Sequence, residues 1–253
     1  MRIGRPRFQS VKLLALSCAL TAGQLFGQLN VQPEAAKQPG EVDASKTAPA
    51  ETAAPAAESK RILGIIPNYR TSPALHPYSP ISPAEKFKLA RQDAFDQGTF
   101  VLAALFAGEG QLSNSNRAFG QGASGFGQYL GASYADYVVG DYMTEGIFPT
   151  LLHQDPRYFR KGRGSGWSRL AYAAGQVIVT HSDNGDTDFN YSEIVGNATG
   201  VAISMSYYRD NRDASDAVVK LVTQVSVDAA SNVLKEFWPE LQRKFSRKQK
   251  PSD

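Results

Sequence analysis

Apolar residues recur every three or four positions in several long stretches of residues 83–247, and this spacing predicts a mainly α-helical fold. The first stretch begins with a capping box, in which Ser82 precedes a proline and Glu85 stands at the third helical position. We expect helices over residues 83–107, 123–146, 167–180, 191–208 and 214–247. Pro239 within the last of these should kink or restart it. The predicted fold is a compact bundle of about five helices.

Two of these helices carry rows of small residues at every fourth position. The rows are Ala123, Gly127, Gly131 and Ala135 in the second helix, and Ser192, Gly196, Gly200 and Ser204 in the fourth. Glycine inside a helix costs about 1 kcal/mol relative to alanine, so such rows indicate close approach of a neighbouring helix. The same spacing joins helices in membranes. However, charged residues flank both rows and no stretch after the first 28 residues approaches the roughly 20 apolar residues of a membrane span. We expect close glycine and alanine packing within the bundle.

The N-terminal region has a different pattern. Residues 1–28 combine four basic residues, no acidic residue and a short apolar run, which is typical of a cleavable secretory signal peptide. Residues 29–60 are rich in Pro, Ala and Glu and predict a disordered linker. A helical domain is expected over residues 61–247, and it should begin with a proline-rich extended strap that has at most one short strand. A flexible tail is expected over residues 248–253. The chain is therefore predicted to be exported to the periplasm or cell envelope, or secreted.

Removal of the signal peptide changes the charge of the chain. The full sequence has 27 Lys and Arg against 24 Asp and Glu, and without the four basic residues of the peptide the ratio becomes 23 to 24. Nucleic-acid binding needs a basic surplus, so nucleic acid is excluded as a general partner. The one cysteine, Cys18, also lies in the peptide. Thiol catalysis and cysteine-ligated zinc are therefore excluded from the mature chain.

Glu109 is the candidate catalytic residue of an enzymatic hypothesis. It ends an apolar stretch, and a loop separates it from Gly122-Ala123-Ser124-Gly125-Phe126-Gly127-Gln128. This arrangement resembles that of lytic transglycosylases, although Gly110 replaces the serine expected after the acid in that family. The resemblance implies peptidoglycan cleavage with Glu109 as general acid, its proton held by apolar neighbours.

His153 and Asp155 form a second candidate catalytic pair. An aspartate two residues from a histidine could orient the imidazole for acid–base chemistry. The alternative is a hydrogen-bonded turn in which Arg157 pairs with Asp155.

Asp186, Asp188 and Asn190 are the candidate metal ligands. Their alternating spacing matches the first three ligands of a calcium loop, but Tyr191 stands where glycine is needed and Asn197 where a bidentate glutamate is needed. The alternative is a solvated turn with Asn190 capping the next helix. No cofactor is predicted, and calcium is the one metal that the pattern leaves open.

The C-terminus collects basic residues beside Phe237, Trp238 and Phe245. The basic residues are Arg243, Lys244, Arg247, Lys248 and Lys250. They suit the end of a helix, and the alternative hypothesis is an amphipathic foot on an anionic membrane surface.

Residues 61–245 are also similar to a family of exported bacterial helical proteins with no assigned activity. The similarity lies in three segments, residues 153–159, 189–194 and 232–239. It implies a helical domain after a signal peptide and linker, and no catalytic residue. The leading functional hypothesis is therefore a structural or binding protein of the cell envelope, whose partners would be envelope components or an anionic membrane surface. The alternative is the transglycosylase-like enzyme.

Overall fold

A computed structural model describes residues 60–210 and 212–248, with side chains to residue 244. The predicted signal peptide, most of the predicted linker and residues 249–253 of the predicted tail lie outside these residues. The described chain begins as an extended strap with three two-residue strands, β1 (Arg61–Ile62), β2 (Ile66–Pro67) and β3 (Thr71–Ser72). β1 and β2 form an antiparallel hairpin, because Leu63 and Gly64 adopt positive φ at its turn. The strap is thus extended, as predicted, but it contains three short strands where at most one was expected.

The fold is mainly helical, which confirms the predicted class. Six helices have at least ten residues, and the four-residue α4 extends one of them. Their bounds are α1 Pro83–Ala94, α2 Gln97–Ser113, α3 Gly122–Asp141, α4 Phe148–Leu151, α5 Gly166–Gly175, α6 Tyr191–Ser204 and α7 Ala214–Lys248. The predicted capping box of Ser82 and Glu85 is present at the start of α1. Helix α7 is continuous through Pro239. No helix of the described ranges is long and apolar enough to cross a membrane.

The first predicted helix is in fact two helices, α1 and α2. The chain breaks at Asp96, whose side chain accepts a hydrogen bond from the Gly98 amide and caps α2. Arg61 and Tyr69 of the strap bind the same carboxylate. A Cβ on Gly98 would lie 1.5 Å from the Ile65 carbonyl oxygen, so the strap can cross here only because this residue is glycine. Contacts with the strap therefore determine the break between α1 and α2, and helical periodicity alone could not predict them.

Helices α3 and α4 are joined by a π-helix, Tyr142–Ile147, in one continuous helical stretch. Each π-turn adds one residue relative to α-helical winding, which rotates the residues that follow it around the helix axis. The stretch continues past Pro149, beyond its predicted end at residue 146, because proline is tolerated in the first turn of α4. The π-helix contains Glu145, which is fully buried.

Four short strands lie between the helices: β4 (Gln154–Asp155), β5 (Tyr158–Phe159), β6 (Val179–Ser182) and β7 (Thr187–Phe189). β3 pairs with β5 in parallel, and β4, β6 and β7 form an antiparallel sheet in that order, with Asp155 opposite His181. Periodicity predicted a loop and a turn here. The sheet ends α5 at Gly175, five residues before its predicted end, because residues 179–182 pair with both neighbouring strands.

The two small-residue rows have different surroundings. In α6, a Cβ on Gly196 would lie 2.9 Å from Thr144 of the π-helix, and the flanking Ser192 and Ser204 are buried. This row packs closely, as predicted. In α3, Gly127 and Gly131 are exposed and a Cβ on either would meet nothing within 4 Å. The prediction of close packing by this row is therefore wrong, and α3 instead uses the neighbouring face that carries Tyr129.

Candidate functional site

Glu109 lies in the last part of α2, four residues before its end at Ser113. Burial raises the pKa of Glu109, while a hydrogen bond with Ser113 lowers it. Gln128, the last residue of the transglycosylase-like segment, donates its side-chain amide to the Phe119 carbonyl. Glu109 lines neither of two small cavities in the bundle, one beside Arg70 and the other beside Lys220.

His153 and Asp155 have different partners. The His153 side chain is 85% exposed, and its Nδ1 lies 3.9 Å from Asp183. The buried Asp155 carboxylate accepts hydrogen bonds from Tyr78 and from both the backbone and side chain of Arg157. The structure therefore places Asp155 in the turn-stabilising arrangement, where it orients Arg157 and Tyr78.

Asp186, Asp188 and Asn190 lie in and after the β6–β7 hairpin. Asp188 accepts a hydrogen bond from Gln154, and Asn190 caps α6 by accepting the Glu193 amide. Asp186 is exposed. In the part of the chain that the structure describes, no group of three or more His, Cys, Asp or Glu residues could hold a metal ion.

The most unusual site lies inside the bundle and was not predicted. We call it the acidic core cluster, and it contains five carboxyl groups and two cations from five parts of the fold. Its members are Arg70 after β2, Asp93 in α1, Asp141 and Glu145 at the end of α3 and in the π-helix, Glu193 in α6, and Asp228 and Lys235 in α7. Each member interacts electrostatically with several of the others.

Arg70 is at the centre of one half of the cluster. Its Nε lies 2.8 Å from Glu145 Oε1 and 3.3 Å from Asp93 Oδ2. The Asp93 and Glu145 carboxyl groups therefore lie around the same guanidinium nitrogen. Despite these contacts, neither Glu145 oxygen has a hydrogen bond of good geometry within the described chain. A fully buried carboxyl group without such bonds is costly and calls for a physical explanation.

The other half of the cluster joins α6 to α7. The Asn197 side chain donates to Glu193 Oε1 at 3.0 Å and is 3.2 Å from Asp228 Oδ2. Glu193 and Asp228 therefore lie around the same amide donor. Two carboxyl groups held this way disfavour the ionisation of both.

Burial is the main influence on the pKa values in this cluster. It raises the pKa of Asp141, Glu145 and Glu193 well above their usual values, and nearby Asp93 and Asp228 raise them further. Burial also lowers the pKa of Lys235 to about 8, with Arg70 adding repulsion. Arg70 itself has a raised pKa because attraction by Glu145 and Asp93 exceeds the effect of burial. Burial therefore favours the protonated form of Asp141, Glu145 and Glu193, whereas Arg70 favours its charged form.

A small polar cavity borders the cluster. It has a volume of about 30 Å³ and is lined by Arg70 and Glu193, together with Arg157, Ser192 and Asn232. A cavity needs about 10–15 Å³ to hold one water molecule, so this one accommodates only one or two. The site has the titratable groups of acid–base chemistry but no room for an organic substrate.

Comparison with known proteins assigns no role to this cluster. No family model, curated protein or solved structure matches the chain.

A second feature is a basic surface around α5 and the end of α7. It consists of the exposed residues Lys161, Arg163, Trp167, Arg243 and Lys244. Trp167 is 80% exposed in the first turn of α5. This surface shares Arg243 and Lys244 with the predicted amphipathic foot but differs from it in its aromatic residue. Phe237 and Trp238 are buried, and Trp167 supplies the exposed aromatic ring.

Glu236 brings the two parts of the basic surface together. Its carboxylate accepts hydrogen bonds from the Lys161 and Gly162 amides and from Arg169 of α5. Arg169 also bridges to Glu240, one turn further along α7. Arg243 and Lys244 follow Glu240 by another turn on the same helical face. The glycine-rich loop and the basic end of α7 are therefore neighbours on the surface.

Proposed function

We propose that this protein is an exported cell-envelope protein with a binding role, and that its basic surface attaches it to an anionic membrane. The observation that carries the proposal is the combination of four exposed cationic side chains with the exposed Trp167. Tryptophan favours the interface between lipid and water, and lysine and arginine favour an anionic headgroup layer.

The charge distribution supports attachment rather than general polyanion binding. Each lysine or arginine near an anionic bilayer contributes about 1 kcal/mol, so four of them contribute about 4 kcal/mol. The predicted mature chain has a net charge of about −1, from 23 basic and 24 acidic residues. Attraction to lipid is thus local to this surface and should weaken as salt screens it.

The test is cosedimentation of the exported, processed protein with two kinds of vesicle, one containing phosphatidylglycerol and one only phosphatidylcholine. We expect binding to the anionic vesicles alone. Substitution of Lys161→Gln with Arg163→Gln should weaken this binding about 30-fold, since two charges are removed at about 1 kcal/mol each.

The matched control replaces Lys88 and Arg91, two exposed basic residues of α1, by glutamine. This change removes the same charge but should leave vesicle binding unchanged. Equal binding to both vesicle types, or equal loss in the control, would reject the proposed membrane contact.

Peptidoglycan cleavage by Glu109 is the second candidate, favoured by one observation. Burial raises the pKa of Glu109, as a general acid requires. The enzyme should release soluble fragments from purified sacculi, and Glu109→Gln should abolish the release. A wild-type protein that releases none would remove this candidate without affecting the membrane proposal.

A further inference from the structure

The acidic core cluster contains more negative groups than positive ones. Within the described residues, five carboxyl groups surround two cations, Arg70 and Lys235, while the nearby Arg157 is paired with Asp155, so full ionisation would leave an excess of negative charge. An isolated buried charge is so unfavourable that the group becomes neutral instead. Some of the fully buried acids must therefore hold protons for the bundle to close.

Two contacts indicate where protons are held. Asp93 and Glu145 both lie within 3.3 Å of Arg70 Nε, and Glu193 and Asp228 both lie within 3.2 Å of Asn197 Nδ2. Two carboxyl groups held around one donor disfavour the ionisation of both, so one member of each pair is expected to hold a proton. A proton on Glu145 also accounts for its fully buried oxygens, which make no hydrogen bond of good geometry within the described residues. No group of three or more His, Cys, Asp or Glu residues that could hold a metal ion is found among the described residues.

Every element around the cluster contributes a charged or titratable group. These groups are Arg70 from the strap, Asp93 from α1, Tyr137 and Asp141 from α3, Glu145 from the π-helix, Glu193 from α6, and Asp228 and Lys235 from α7. Asp155 and Arg157 line the adjacent cavity, and Asp96 and Asp136 act from further away on Asp93 and Tyr137. Tyr137 stays neutral at and below neutral pH, because burial raises its pKa above the ordinary value of tyrosine.

We propose that the acidic core cluster is a proton-binding site that makes the closure of the strap and four helical elements around it depend on pH. When the carboxyl groups are protonated, Arg70 and Lys235 balance the remaining charges. When the protons leave, like charges face one another across α1, the π-helix, α6 and α7. Alkaline conditions then loosen the packing of these elements.

The direction follows from the linkage between protonation and folding. A carboxyl group whose folded pKa is raised stabilises the protein below its unfolded pKa, and this stabilisation is lost as pH rises through the folded pKa. Lys235 acts oppositely, because its folded pKa of about 8 lies below the unfolded one. Its destabilising effect grows as pH falls from the unfolded pKa to about 8 and is constant below that, so Lys235 does not contribute to the slope between about pH 5 and 8. His181, whose pKa burial lowers, opposes the effect of the acids in the lower part of this range.

The experiment is urea unfolding of the exported, processed protein at several pH values between about 5 and 8. The folding equilibrium constant should fall about tenfold per pH unit for each proton that only the folded state retains. The double variant Glu145→Gln with Glu193→Gln should lose most of this dependence, since glutamine resembles the protonated acid. The control Asp186→Asn changes an exposed acid and should keep the wild-type slope.

Three outcomes would overturn the proposal. The first is a wild-type stability that is constant or rises across this pH range. The second is a double variant with an unchanged slope. The third is a slope that added Ca²⁺ abolishes, which would make a cation the compensating ligand. If the double variant does not fold, the protons released by unfolding wild-type protein decide the question.

Discussion

Two buried ionic sites lie on consecutive residues of α7 and have opposite electrostatics. Lys235 belongs to the acidic core cluster, whereas Glu236 lies in a separate site with Arg169 and Tyr158. The Glu236 carboxylate accepts four hydrogen bonds, two of them from backbone amides. Glu145 is equally buried but has no hydrogen bond of good geometry within the described residues.

The difference shows that donors, rather than burial, decide the charge of a buried acid. Burial alone would raise the pKa of Glu236, but hydrogen bonds from Arg169, Tyr158 and the backbone lower it below its usual value. Burial prevails at Glu145, whose pKa is raised well above its usual value. Stabilisation by Glu236 is therefore lost as pH falls through its folded pKa, whereas the cluster loses stability as pH rises.

The largest expected effect is that of Glu236→Ala. This change leaves Arg169, which is 9% exposed, without its main partner and releases the loop amides. Removing one member of a buried ion pair costs about 3–5 kcal/mol. Chemical denaturation at neutral pH should show a loss of this size, whereas Glu240→Ala, at the half-exposed end of the same network, should cost less than about 1 kcal/mol. Equal losses would contradict the distinction.

Arg70→Met should have a smaller effect, because the cluster can respond by binding another proton. The loss of a charged hydrogen-bonding group is expected to cost about 2 kcal/mol at neutral pH. The cost should be less at about pH 5, where protons replace the missing cation. Denaturation at the two pH values checks this, and a cost independent of pH would indicate that Arg70 contributes only packing.

The smallest effect is expected at a third pair, Lys220 with Asp136, which is more exposed than either site. Lys220 Nζ lies 2.9 Å from Asp136 and beside a cavity of about 10 Å³, and its side chain is 28% exposed. A pair of this exposure contributes about 1 kcal/mol or less. Lys220→Met should lower the free energy of unfolding by no more than this, and a loss equal to that of Glu236→Ala would show that exposure is not the deciding variable.

Local features of the fold could be predicted because their causes lie close together in sequence. The capping box of Ser82 and Glu85 and the cap of α6 by Asn190 each join residues three apart. The break at Asp96 could not be predicted, because Arg61 and Ile65 of the strap impose it. The small-residue rows of α3 and α6 have the same spacing, but only the row of α6 packs closely against another helix. Periodicity identifies the face of a helix but not the element that packs against it.

The acidic core cluster had a weak signal in the sequence. Asp141 and Glu145, and Glu193 and Asn197, are spaced by four, and the second pair flanks the glycine row of α6. Acids at this spacing usually indicate a solvated helical face. Only tertiary packing brings them to Asp93, Asp228 and the Arg70 guanidinium that they share. Only part of the basic surface could be predicted. Arg243 and Lys244 lie close together in sequence, whereas Trp167 belongs to another helix and joins them only in the folded chain.

Proton release on unfolding tests the central claim most directly. The wild-type protein is unfolded by urea at neutral pH in weakly buffered solution, and the protons released are titrated. Lys235 remains mostly charged in both states at this pH. We expect a net release of protons, because the buried acids ionise when unfolding exposes them to water at neutral pH. No net release, or an uptake, would show that the buried carboxyl groups are ionised and would contradict the account.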